Sequence, residues 1–285
     1  MSDPISKFAV IGMAVLAILF VGVRPIAAHQ PRLVTSDPAP IIDPEVSKAF
    51  YGELTGAPEL FSFTADRTFQ LYVGLLVPDL RGIRTDLSLE IRREGELVAQ
   101  FDAVRFEWKK MFEPFAGDNY LQGPEFRSAN APAGKYEILV SGPENRGKYV
   151  LAVGEAESFP LSETLGALRV IPGLKSGFFN KSRATFLFSV FGSIEFVFAL
   201  LAGLLAGILW RALLKLAART RSVARRNIGR PDRQTRLGLA LVALAAGLWF
   251  WNPALMFIAG FVLFEAAAGW CALYAAIGRN TCPIG

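Results

Sequence analysis

Cysteine and histidine are nearly absent. The chain has 285 residues but only two cysteines, Cys271 and Cys282, both in its last fifteen positions, and one histidine, His29. Nothing upstream of Cys271 can be cross-linked within the chain, so a domain there must be held by its own core. Two thiols without further cysteine or histidine do not complete a zinc site. Nucleophile-elbow, phosphate-loop and metalloprotease motifs are missing too, which leaves an enzyme as the weaker expectation, and the residues single out no cofactor. Charge is also scarce: 19% of residues are charged against 52% hydrophobic, a balance that points to membrane segments.

The charge that exists is unevenly placed. Residues 211–236 hold nine Lys/Arg and one acid, Asp232, a net of 9 − 1 = +8. Residues 29–183 hold 18 basic and 21 acidic residues, a net of −3. The overall +5 is therefore a local feature of one stretch between apolar segments, as in the cytoplasmic flanks of membrane helices, and gives no reason to expect nucleic-acid binding.

The hydrophobic pattern divides the chain. Residues 8–23 are apolar and uncharged between Lys7 and Arg24, with Ala27-Ala28 beyond, which reads as a signal segment over 1–28, with an uncleaved anchor as the alternative. Residues 29–154 read as an exported all-β sandwich or jelly roll, because short aromatic and β-branched runs alternate with period two. Strands are expected over 50–54, 60–64, 69–77, 87–91, 97–101, 136–140 and 149–153. Residues 109–132 are expected to be a long insertion. Trp108, Glu113, Asp118, Asn119, Tyr120 and Glu125 in or beside it are candidates for holding a sugar or a calcium ion, unless the aromatics only pin the loop down. Residues 155–183 read as a juxtamembrane segment at the lipid interface, with Ser162 a helix N-cap and Pro172-Gly173 a break.

Membrane helices follow. Residues 184–210 are expected to cross the bilayer, 211–236 to form a cytoplasmic basic loop, 237–278 a hairpin turning at Asn252-Pro253, and 279–285 a cytoplasmic tail. This places the chain in a bacterial inner membrane, sandwich in the periplasm and C-terminus in the cytoplasm. Gly203 and Gly207 are spaced to admit a second helix closely, from another copy or a membrane partner. Glu195 and Glu265 are the charged residues inside the expected spans; similar distances from the outer end mean that they could meet at one depth, either as a shared-proton site or as a protonated interhelical bond. Cys271 and Cys282 are open to a sulfur or redox role or to inert packing. His29, exposed as an N-terminus by cleavage after Ala28, is a candidate copper ligand that lacks a second histidine.

Two resemblances sit on this reading. Asn227-x-Gly229-x-x-Asp232-Arg233-x-x-Arg236 ahead of the hairpin, closed by Gly269-x-Cys271-x-Leu273-Tyr274 and Asn280-Thr281-Cys282-Pro283, resembles the YgaP-like inner-membrane domain family over about residues 227–284. In that family the hairpin occurs alone or fused to modules such as rhodanese-type sulfurtransferases; the resemblance implies a membrane hairpin, and no rhodanese module stands here. The stretch 133–153, with Tyr136 and Tyr149 in its two strands, resembles the closing hairpin of pre-peptidase C-terminal domains, exported jelly-roll modules that mostly bind or assist. Three readings therefore stand: a membrane-anchored, non-enzymatic binding module; a redox or sulfur-handling protein using Cys271 and Cys282; and a small oligomeric transporter or proton pathway using Glu195 and Glu265.

Overall fold

The structure is a computed structural model, and it describes residues 29–102, 106–217 and 226–282. The expected signal segment, 1–28, lies outside the described residues, as do 218–225 of the basic stretch and 283–285 of the tail. The chain forms two compact units divided between Lys181 and Ser182.

Among the described residues, the first unit is an eleven-stranded sandwich with one helix. Strands β1 (Gln30–Leu33), β3 (Lys48–Thr55), β5 (Phe69–Pro78), β8 (Lys109–Glu113), β9 (Asp118–Ala131) and β11 (Arg146–Val153) form one sheet in the order β1-β3-β11-β5-β9-β8. Strands β2 (Ala39–Pro40), β4 (Glu59–Ala65), β6 (Ser88–Arg93), β7 (Glu96–Phe101) and β10 (Gly134–Ser141) form the other, in the order β2-β4-β10-β6-β7. Between them Phe50, Leu71, Val73, Leu75, Tyr149 and Leu151 of the first sheet meet Phe61, Phe63, Ile91, Tyr136 and Ile138 of the second. Tyr136 stacks on Phe63 at 5.0 Å and meets Phe69 edge-on at 5.5 Å, geometries worth about 0.5–1.5 kcal/mol each beyond burial.

The two sheets read differently in sequence because their outer faces differ. Strand β10 alternates buried and half-buried positions, the signature of a sheet with one covered face. Strand β11 is buried continuously from Tyr149 to Val153, since Tyr149 and Leu151 face the sandwich core while Val150 and Ala152 face a second cluster. Helix α1 (Leu161–Gly177) supplies that second layer through Leu174, with Phe178 and Phe179 just beyond its end, against Tyr51, Tyr72, Leu76 and Tyr120.

Thus much of the segment expected at a lipid interface is a third layer of the β unit. Pro160, not Ser162, occupies the N-cap, and Pro172 does not end the helix. A proline inside a helix removes one hydrogen bond, a loss that the burial of Pro172 accompanies. The insertion expected over 109–132 is not a loop: β8 and β9 pair along Lys109↔Gln122 to Glu113↔Asp118, and β9 continues along β5. Its polar residues hid the alternation because β8 is an edge strand and β9 carries register shifts against β5.

The second unit is helical. A 3₁₀ turn (Arg183–Phe188) leads into α2 (Val190–Ala217), followed by α3 (Arg230–Phe250), α4 (Pro253–Ala268) and a short α5 (Ala272–Ile277). Within α2, residues 190–216 are long and apolar enough to cross a membrane. The stretch 211–236 is helical at both ends, where α2 and α3 extend into it. Helix α4 lies against both α2 and α3. A Cβ at Gly203 would sit 2.0 Å from the Phe257 carbonyl oxygen, and one at Gly260 2.2 Å from that of Leu200. The close approach expected at Gly203 and Gly207 is therefore filled by α4 of the same chain, which corrects its assignment to a partner; at Gly207 the neighbour is the Phe264 ring.

Candidate functional site

Asp118 opens β9 with its carboxylate fully buried, and two ammonium groups close on it: Lys175 of α1 at 2.7 Å and Lys181 at 2.9 Å. Lys175 is itself fully buried and donates also to the Gly117 carbonyl at 3.1 Å. Burial pulls the Lys175 ammonium below its ordinary range, against the pull of Asp118. Beside it, Glu113 accepts the Phe115 and Ala116 N–H groups at 2.7 and 2.8 Å, so its carboxylate closes the β8–β9 turn, with burial raising its pKa. Tyr120 and Tyr51 share a buried hydroxyl pair at 2.8 Å. Glu125 accepts from the Tyr72 hydroxyl at 2.7 Å, from Gln122 and from Arg127 at 2.9 Å.

Four of the six residues expected to bind a ligand are thus occupied within the fold. Three of them, Glu113, Asp118 and Tyr120, lie around the place where α1 meets the sheet, and Glu125 ties β9 to β5. Trp108 lies over Gly123 and against the core, and Asn119 is exposed. The carboxylates expected to hold a calcium ion or a sugar face ammonium, hydroxyl and amide donors, which compete for their oxygens with any such ligand. The signal that was missed is Lys175, a lysine amid the apolar residues of α1. His29 bonds Ser47 through Nδ1, and burial lowers its pKa although Glu155 opposes the shift. Among the described residues no group of three or more His, Cys, Asp or Glu stands ready for a metal.

The second polar cluster closes the helical unit. Arg236 of α3 donates to Glu265 of α4 at 2.6 Å and to the Cys271 sulfur at 3.0 Å. The other Glu265 oxygen accepts the Ala272 N–H at 2.8 Å, and Cys271 caps α5 by accepting from the Tyr274 N–H. Asn227 bonds the Cys271 backbone twice, at 2.7 Å to its N–H and 3.0 Å to its carbonyl. Thr281 joins Asp232 and the Gly229 N–H, and the Cys282 thiol donates to the Ile228 carbonyl at 3.3 Å. Asn227, Thr281 and Cys282 thus tie the far end of the hairpin and the tail beyond it to residues 227–232. Both thiols are free and each has its own partner; Cys271 is 1% exposed.

The two intramembrane carboxylates are not brought together, contrary to the expectation that they meet. Glu195 accepts from the indole N–H of Trp251, in the α3–α4 turn, at 2.7 Å. Glu265 lies thirteen residues beyond Asn252, about 20 Å along α4. The reason is local: the chain from 183 to 188 is a 3₁₀ turn outside α2, so Glu195 enters the helix only five residues after its start.

Residues 224–285 match the family described as "Inner membrane protein YgaP-like, transmembrane domain". This segment is similar to the YgaP-like domain. With the apolar α2, the match places the protein in a membrane. No curated protein matches the chain. Among solved structures, the periplasmic inhibitor of g-type lysozyme PliG from Aeromonas hydrophila is 16% identical, covering 44% of this chain and 97% of its own, with a TM-score of 0.28. The pre-peptidase C-terminal domain of a Bacillus anthracis collagenase is 14% identical over 46% of this chain and 98% of its own, at a TM-score of 0.25.

Proposed function

We propose that the protein is a membrane-anchored binding module: the sandwich holds a polar ligand outside the inner membrane, and the helical unit with its YgaP-like segment is the anchor. The observation that carries this reading is a cleft of about 480 Å3 at the edge of the sandwich, where β1, β2 and the start of α1 border one another. Arg32, Asp43, Lys48 and Glu163 line it together with the Phe50 ring. Lys48 bonds the Asp43 carbonyl at 2.9 Å, and Arg32 bonds Glu163 at 2.8 Å. A mixed-charge rim around an aromatic suits a glycan or a peptide segment, which exchanges such bonds with its own.

The internal bonding of the clamp that Asp118 forms with Lys175 and Lys181, and of the motif cluster, also favours a module over an enzyme, because a catalytic group needs an accessible, reactive atom. The positive charge of 211–236 supports a cytoplasmic location for that connection and a periplasmic one for the sandwich. Four residues separate the end of α1 from the first residue of the helical unit.

Mass spectrometry of what stays bound after detergent extraction tests the reading. A glycan or peptide retained by the wild type and lost from the Arg32→Ala, Lys48→Ala double variant supports it. An activity that disappears on replacing both Cys271 and Cys282 overturns it in favour of sulfur or redox chemistry. A reporter fused within 211–236 that is reached from the periplasm overturns the orientation.

A further inference from the structure

We propose that the helical unit binds the headgroup of an anionic phospholipid in a cleft between α3 and α4. The cleft, about 370 Å3, has Arg230, Arg233 and Gln234 on its polar side and Leu237, Leu263 and Ala266 on its apolar side. The polar residues belong to the first turns of α3 and the apolar ones to the lipid-compatible stretch that follows. One wall therefore offers guanidinium donors and the other the surface against which an acyl chain lies.

Arg233 is already ordered. Its Nε donates to the Ala266 carbonyl at 2.8 Å and its Nη2 to that of Ala267 at 3.4 Å, so holding its side chain in place costs a ligand little further entropy. Among the described residues no carboxylate pairs with Arg230 or Arg233, whereas neighbouring Arg236 is taken by Glu265. The nearest acid in sequence, Asp232, is engaged by the Thr281 hydroxyl. Two cations in a cleft that no carboxylate lines favour a headgroup of net negative charge. A zwitterionic one would also bring an ammonium or choline group, and no carboxylate lines the cleft to balance it. A planar guanidinium suits the paired oxygens of a phosphodiester.

Native mass spectrometry of the full chain in detergent, with phosphatidylglycerol or phosphatidylcholine added at equal concentration, tests this. The wild type is expected to retain phosphatidylglycerol preferentially. Arg230→Gln, at an exposed position with no internal bond to lose, is expected to weaken retention about fivefold, and the Arg230→Gln, Arg233→Gln pair more. Lys215→Gln, the same loss of charge away from the cleft, should leave retention unchanged. Equal retention of both lipids, or an equal loss with Lys215→Gln, overturns the site. Displacement of the lipid by millimolar inorganic phosphate would make it a soluble-phosphate site and overturn the lipid assignment. Helix content measured by circular dichroism separates loss of binding from loss of fold in the double variant.

Discussion

Each unit of this protein holds a buried carboxylate in an ion pair, and the two pairs do different work. In the sandwich, Asp118 takes two lysines and fastens a helix across the outer face of a sheet. In the helical unit, Glu265 takes one arginine and shares it with a thiol, fastening the ends of a hairpin to each other. The first pair joins elements far apart in structural type; the second joins neighbours that already pack along their length. Removing one partner should therefore expose the difference, because only in the sandwich does a layer depend on the bond.

The largest effect is expected from Asp118→Ala, which leaves two ammonium groups facing a vacancy, one of them fully buried. It should cost about 3–5 kcal/mol, read as a fall in the thermal or urea midpoint of the β unit. Adding Lys175→Met should recover part of that loss, since a buried pair replaced by apolar side chains is often neutral. If Asp118→Ala is silent, Leu174, Phe178 and Phe179 alone hold the layer. Gly260→Leu is expected to come next: its side chain meets the Leu200 carbonyl, so α2 and α4 must separate at a cost of about 1–3 kcal/mol or more, seen as lost detergent stability. Tyr51→Phe strips the Tyr120 hydroxyl of its partner and should cost about 1–3 kcal/mol, with no change in ligand retention.

The smallest effect concerns pH. His29 has a pKa lowered by burial below the ordinary 6.5, so its contribution is complete above pH 6.5 and is lost as pH falls through the folded value. Unfolding followed between pH 7 and 5 should show a decline that His29→Asn flattens. As the single histidine, it is the side chain whose ordinary pKa lies in that window. Cys282→Ser is expected to change neither stability nor ligand retention appreciably, since its thiol makes only a weak bond to a carbonyl.

These comparisons also show what could be read early. The core strands were legible wherever one face was covered, as in β10, and even β11 showed Tyr149, Leu151 and Val153 on one side. What β11 could not show was why Val150 and Ala152 were apolar as well, because the covering element begins at Leu161 and a single strand's pattern does not name its second neighbour. The candidate ligand residues were visible as polar groups in an aromatic setting. Asp118 and Lys175 stand 57 positions apart, and no local pattern couples them.

By itself, the order of residues determined the division into a β region and apolar helices, the Asn252-Pro253 turn, and the motif that makes residues 224–285 similar to a YgaP-like domain. These depend on periodicity, local backbone preference and spacing, all carried within short stretches of chain. Only the tertiary structure decided that the glycines of α2 are filled from within, that Glu195 and Glu265 lie apart, and that the polar residues around β8 and β9 serve a clamp. Each of those outcomes rests on which distant side chain arrives first at a buried polar atom or a bare backbone, and proximity of that kind exists only once the chain has folded.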